Sequence, residues 1–181
     1  NVFSTNFENA FAIDTPPYVL RYNIRNTGCI YRCAVDRTNL GRDTIASSIE
    51  GVQPELHNYA KRSQTVKALT NIVNRLVQKE HVDTKSIVIV SDVAYQQSIL
   101  AAEDKIGAYS LSFGSFDSVS SDEICFKTAE EFKGLEANIV IYLKHNFENI
   151  PETEIHHKRE YVAITRARYY LYILGTKCVA Q

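Results

Sequence analysis

Methionine is missing from all 181 residues, position 1 included. On that ground the chain reads as a piece of a longer protein, the alternative being modified methionines left out of the sequence. Long apolar runs are missing too. None approaches the roughly 20 residues of a membrane-spanning helix. Residues 1–10 lack the basic start and continuous apolar block of a secretion signal, so no membrane partner is expected. The net charge is only −1, which gives no overall pull toward nucleic acid and makes any such contact a local one. The four cysteines, Cys29, Cys33, Cys125 and Cys178, include no CxxC pair. They suit neither zinc nor a disulfide framework, and a reducing cytoplasm fits them best; no metal site is expected. The seven glycines are followed by Cys29, Arg42, Val52, Ala108, Ser115, Leu135 and Thr176, never by Lys. A phosphate loop of the Gly-Lys-Ser/Thr kind is therefore absent. No GxGxxG occurs either, which argues against a small-molecule-binding Rossmann-like domain.

What is present is a folding chain. Hydrophobic residues make up 45% and charged residues 23%, enough for one domain with a real core. Residues 1–17 are polar and irregular and end in Pro16-Pro17, a lead-in from a preceding domain; residues 18–181 form the domain itself. Strands are expected at 18–22, 55–59 (an edge, given Pro54), 86–91, 108–113, 123–128, 137–143 and 169–174. Helices are expected at 27–39 with Gly41 closing it, at 63–81 with Ser63 as cap, at 94–102, and at 152–168 with Pro151 near its first turn. In the second helix Val66, Leu69, Ile72, Val73, Leu76 and Val77 form one apolar stripe. Residues 114–122, rich in Ser and Asp, form a loop. Alternating strands and helices predict an α/β fold with a mostly parallel sheet covered on both faces. Chemistry in such sheets sits beyond the carboxyl ends of the strands, and the informative residues are expected there.

Three segments carry that chemistry. In Leu20-Arg-Tyr-Asn-Ile-Arg-Asn-Thr27, Arg25 stands where a strand passes into a helix. A guanidinium there either grips a phosphate through paired hydrogen bonds or pairs with a nearby carboxylate. In Thr128-Ala-Glu-Glu-Phe-Lys-Gly-Leu-Glu136, Gly134 allows a close turn. Glu136, an acceptor only, suits a sugar hydroxyl or a lysine and not a phosphate. In Arg159-Glu-Tyr-Val-Ala-Ile-Thr-Arg-Ala-Arg168, helical spacing sets Arg166 on a partly apolar stripe with Arg159, Val162 and Ala163. Arg168 reads as a cation at a helix C-terminus. His156-His157 point different ways on a helix and read as exposed rather than as a metal pair. Tyr169, Tyr170 and Tyr172 read as strand packing, and Cys29 and Cys33 as small helix residues sharing a face.

In this order the three segments resemble helicase motifs IV, V and VI of the UvrD/Rep/PcrA group, superfamily 1 DNA helicases. The resemblance spans residues 18–174 and has no room for the large inserted domain that many relatives carry, since only residues 91–128 separate the middle strand from the second motif. It implies the C-terminal RecA-like (P-loop NTPase-like) motor domain. In that group a first RecA-like domain holds ATP and Mg2+, and the second closes on them and on single-stranded or partly duplex DNA. By position, Arg25 and Arg166 resemble the arginines that reach the γ-phosphate, Gly134 a backbone position close to the nucleotide, Glu136 the carboxylate on the ribose, and Thr128 a contact to the DNA backbone. Two positions depart from the pattern. Ile24 stands where an aromatic stacks on adenine, with Tyr22 as a substitute, and Glu130 stands where a histidine often meets DNA. Without a phosphate loop the fragment alone is expected to be inactive. The alternatives are an RNA-directed helicase of the same superfamily, for which Lys133-Gly134 would more often read Gln-Gly, and a non-catalytic helicase-like module for DNA binding or docking.

Overall fold

The computed structural model describes residues 21–147 and 153–178. Its centre is β2 (Ile87–Ser91), five residues that are all buried. A strand buried on both faces has to be apolar throughout, as this run is. Around it the sheet runs in the order β1-β7-β6-β2-β5-β4-β3, with β1 (Glu55–Tyr59), β3 (Lys105–Ile106), β4 (Tyr109–Ser112), β5 (Glu123–Thr128), β6 (Ala137–Phe147) and β7 (Ala167–Cys178). Every neighbouring pair is parallel except the short β3–β4 hairpin, which turns at Gly107 with φ +63°.

Alternation along the strands sorts the core into two layers. Val88, Val90, Val140, Tyr142, Leu171 and Ile173 face one side, where α1 (Gly28–Thr38) and α3 (Glu154–Ile164) bury Ile30, Ala34, Ala163 and Ile164 against them. Ile87, Ile89, Ile139, Ile141, Tyr172 and Leu174 face the other, covered by Leu69, Ile72, Val73 and Leu76 of α2 (Arg62–Asn74) and the turn after it. The result is the expected α/β RecA-like sheet with helices on both faces. No helix among the described residues is long and apolar enough to cross a membrane.

Several sequence expectations need correction. The cap of α2 is Lys61, not Ser63, and no side chain closes it. The helix gives way at Asn74 to a π-helical turn, Arg75–Lys79. The helix expected at 94–102 is a single 3-10 turn, Tyr95–Gln97. Ile99 there gives its N–H to His145 Nε2 at 3.0 Å, and the Ser98 hydroxyl takes the Leu100 N–H, so no helical ladder continues. The last helix stops at Ile164, where the Thr165 hydroxyl donates to the Tyr161 carbonyl and the chain turns into β7. Arg168 is therefore a strand residue and not a cation at a helix end. The strand expected at 18–22 lies mostly outside the described residues; Tyr22 makes an isolated parallel bridge to Ile45. The lead-in at residues 1–17, and Pro151 and Glu152 of the last predicted helix, also lie outside them.

Candidate functional site

The segment before α1 is fastened to the segment before β7 by a single buried side chain. Asn26 donates from its amide nitrogen to the Thr165 carbonyl at 3.0 Å and to the Ala167 carbonyl at 2.5 Å, on either side of Arg166. Asn23 prepares it: its Oδ1 accepts from the backbone N–H groups of Arg25 and Asn26 and turns the chain tightly. The Thr27 N–H adds a bond to the Arg168 carbonyl. Residues 25 and 166, 141 positions apart in the chain, are thereby held on one side of the domain.

Their side chains meet around Glu136. Arg25 Nε lies 3.2 Å from Glu136 Oε2, and Arg168 Nη1 lies 3.6 Å from Oε1 of the same carboxylate. Arg166 is half-buried alongside. It donates from Nε to the Val162 carbonyl and from Nη1 to the Leu135 carbonyl, next to Glu136. Burial above all, and then the neighbouring Arg25 charge, pull the Arg166 pKa down from its ordinary value, with Glu136 opposing. Two guanidinium groups thus share one carboxylate, and a third, Arg166, lies near enough to feel its charge. The cluster carries more positive than negative charge, and Arg166 is its desolvated member. Tyr161 borders it: burial first, and then Tyr31, push its phenol up to about 12 against the pull of Arg166 and Arg25.

The sheet fixes where this cluster stands. Glu136 immediately precedes β6, and Arg166 precedes β7; the Ala137 N–H donates to the Arg166 carbonyl. The arginines therefore occupy the amino ends of these strands, which corrects the expectation that the chemistry gathers beyond the carboxyl ends. Thr128 alone is at a carboxyl end, that of β5, level with Ser91 and through it with Leu143. Six residues of β6 separate that level from Ala137, about 20 Å at strand rise. The segment between Thr128 and Glu136 crosses this height over the sheet, anchored by buried Ala129 and Phe132.

Other sequence-derived positions fall as follows. Gly134 has φ +91°, a conformation L side chains rarely adopt, and open space where a Cβ would be. The Thr128 hydroxyl and N–H both donate to Glu131 Oε2, at 3.0 and 2.8 Å. Glu130 is paired with Arg159 on α3. Ile24 is 91% exposed and Tyr22 67%. His156 is half-buried and closes a capping box with Thr153 at the start of α3. Tyr172 is buried, while Tyr169 and Tyr170 are partly exposed, and the Arg168 guanidinium stacks over the Tyr169 ring, 5.2 Å from its centre. Cys29 and Cys33 do share helix α1.

Sequence reasoning missed Asn26, Arg168 as a member of the cluster, and two buried charged groups. Glu160 accepts from Arg37 Nε at 2.5 Å and Lys144 Nζ at 2.8 Å, joining α1, α3 and β6. Asp92 meets His145 Nδ1 at 2.6 Å between the ends of β2 and β6. The available signal was an acid at position 160 one turn before the apolar Ala163 and Ile164.

The arrangement has relatives. A family model described as an AAA domain matches residues 42–178, a span that takes in Thr128, Gly134, Glu136, Arg166 and Arg168 and leaves out Arg25. No curated protein matches in sequence. Among solved structures, the chain is similar to the C-terminal domain of a possible DNA helicase from Lactobacillus plantarum WCFS1. The two share 15% identity over 85% of this chain and 88% of that one, with a TM-score of 0.61. It is also matched to the C-terminal part of the Fun30 ATPase domain, at 13% identity over 84% of this chain and 50% of that one, with a TM-score of 0.35.

Proposed function

The chain belongs to the AAA domain family and has the fold of a C-terminal, RecA-like helicase domain, and from that premise we propose that it is the second motor domain of an ATP-dependent DNA helicase of the UvrD/Rep type. It acts on ATP and Mg2+ held mainly by an N-terminal RecA-like domain of the same protein. The observation that carries this reading is the cluster of Arg25, Arg166 and Arg168 around the single carboxylate of Glu136.

The chemistry follows from the charges. As the γ-phosphoryl group departs, negative charge spreads over its equatorial oxygens, and guanidinium groups placed there stabilise it. An incoming triphosphate also relieves the repulsion between Arg25 and Arg166. Because these arginines approach from the domain opposite the phosphate loop, they favour the closed arrangement when ATP is bound and release it after hydrolysis. Glu136 accepts from the ribose hydroxyls, and the backbone at Gly134 passes close to the nucleotide. The segment from Thr128 to Glu136 then links two ligands at opposite ends of the sheet, with single-stranded DNA on the Thr128 end. Since no glycine precedes a lysine, the chain without its partner domain hydrolyses no ATP.

The test is steady-state ATP hydrolysis by the full-length protein with single-stranded DNA. Arg166→Ala lowers kcat about a thousandfold or more, with a smaller effect on DNA affinity, and Arg166→Lys does not rescue it, because lysine lacks the two-pronged contact. Equal loss of DNA binding and turnover would mean that Arg166 serves folding instead. An RNA preference in the same assay would move the protein to the RNA-directed branch.

A further inference from the structure

Phe113 is an exposed aromatic that the rest of the fold does not explain. It follows β4, and because Ser112 is level with Cys125, it stands beside Phe126 of β5. Half of it (50%) is open to solvent. The other half is braced edge-on by two rings, Tyr95 with centroids 4.7 Å apart and Phe126 at 5.9 Å. Tyr95 is itself edge-on to Phe126 at 5.7 Å, and its hydroxyl is tied to the Glu103 carbonyl at 3.0 Å. The backbone is fixed as well, since Lys127 Nζ donates to the Phe113 carbonyl at 2.8 Å. The ring is thus held in place with half its surface free, and little conformational entropy remains to be lost when something stacks on it.

Two features decide what that is. The exposed ring offers on the order of 100 Å², and the residues flanking it in the chain, Ser112, Gly114 and Ser115, are not large apolar ones. A stable protein partner needs about ten times as much buried surface, whereas one unpaired base needs only one flat face. The second feature is position. Phe126 and Thr128 face the same side of β5, so Phe113 lies one strand over and two residues back from Thr128, about 8 Å away between backbones.

We propose that Phe113 is a stacking platform for an unpaired nucleobase, one step along the single strand whose backbone passes Thr128. The inference rests on the nucleic-acid motor reading given above and adds a base contact that does not depend on sequence, as a stepping motor requires.

The experiment uses the full-length protein and a single-stranded oligonucleotide carrying 2-aminopurine, with binding followed by anisotropy and stacking by base fluorescence. Phe113→Leu keeps the packing against Tyr95 and Phe126 and removes the π face. It is expected to weaken binding about five- to 150-fold and to abolish the bound-state quenching at one position of the probe. Phe113→Trp restores both, and the salt dependence of binding stays unchanged because no phosphate contact is lost. Wild-type affinity and quenching in Phe113→Leu overturn the proposal and leave the motor reading standing. Failure of the wild-type protein to bind any single strand overturns both.

Discussion

Arg25 and Glu136 form an ion pair across the mouth of the proposed nucleotide site, with Nε 3.2 Å from Oε2. Arg168 takes the other oxygen of that carboxylate. Under the proposed function, Glu136 stands where the phosphate anion would be received. A triphosphate that took Arg25 would leave the carboxylate beside Arg168, free to accept from the ribose.

Glu136→Ala should accordingly change selectivity before it changes the chemical step. In the full-length protein the KM for ATP is expected to rise about tenfold, since both partners are partly exposed and solvent-screened. The KM for 2′,3′-dideoxy-ATP should stay nearly constant, so that the two converge. Steady-state kinetics with both nucleotides measure this; an unchanged ratio of the two KM values would remove Glu136 from the ribose.

Asn26 is the joint on which the arginine cluster depends. Asn26→Ala leaves the Thr165 and Ala167 carbonyls without their buried donor, at a cost of about 2 kcal/mol. For a domain of this size that is a drop of roughly 5 °C in Tm. Below the new Tm, kcat should still fall, because Arg166 loses its fixed place beside Arg25. Thermal unfolding followed by ATPase assays at low temperature separates the two effects. Full activity in a folded Asn26→Ala protein would show that the clamp is only structural.

The sheet was legible because its signal is periodic and local: the all-apolar β2 and the alternation along β6 and β7 announce buried strands whatever else surrounds them. From the residues alone the arginine cluster was legible only as three separate strings, and it was the resemblance that set Arg25 and Arg166 on one anion. By themselves the strings read most simply as an arginine paired with a carboxylate, a turn and a basic helix end, and their meeting depends on Asn26, a long-range hydrogen bond that leaves no periodic trace. Arg168 was misread for a related reason. The helix pattern runs on smoothly past Ile164, and the stop shows only in the fold, where the Arg166 N–H bonds three residues back to Ala163 and Asn26 takes the Thr165 and Ala167 carbonyls. Phe113 was read simply as the end of a strand, because exposure of an aromatic is a property of the packed molecule.

Glu160 is 2% exposed and stands between Arg37 and Lys144. Removing one partner of a buried ion pair typically costs about 3–5 kcal/mol, so Glu160→Ala should be among the most destabilising single changes in the domain. Glu160→Gln keeps hydrogen-bond acceptance without the charge and should cost less. Urea unfolding of both variants ranks them; equal stability of the wild type and Glu160→Ala would show that the triad contributes nothing net.

High pH should destabilise the domain, first through its buried thiols and then through its buried phenols. Burial above all pushes the Cys125 thiol up to about 11, with Lys127 opposing, and Tyr161 is pushed up to about 12. Both groups are neutral when protonated, so the folded state holds their protons more tightly than the unfolded chain does. Their contribution to stability is complete below the ordinary values of 9.0 for the thiol and 10.0 for the phenol. It is lost as pH rises from those values toward the folded ones, because the unfolded chain ionises first. Urea midpoints should therefore hold steady up to about pH 9 and then fall. Cys125→Ala should make the fall above pH 9 shallower without removing it, since burial raises the Cys33 thiol from the same ordinary value, and Tyr161→Phe should flatten the steeper decline above pH 10, to which the buried Tyr172 phenol also contributes. The same burial predicts that at pH 8 only about a thousandth of Cys125 is thiolate. At saturating reagent, labelling of Cys125, followed by peptide mapping so that Cys29, Cys33 and Cys178 do not interfere, should run at a rate set by unfolding. Rapid labelling of Cys125 in the folded protein would contradict the buried position on which this pH profile depends.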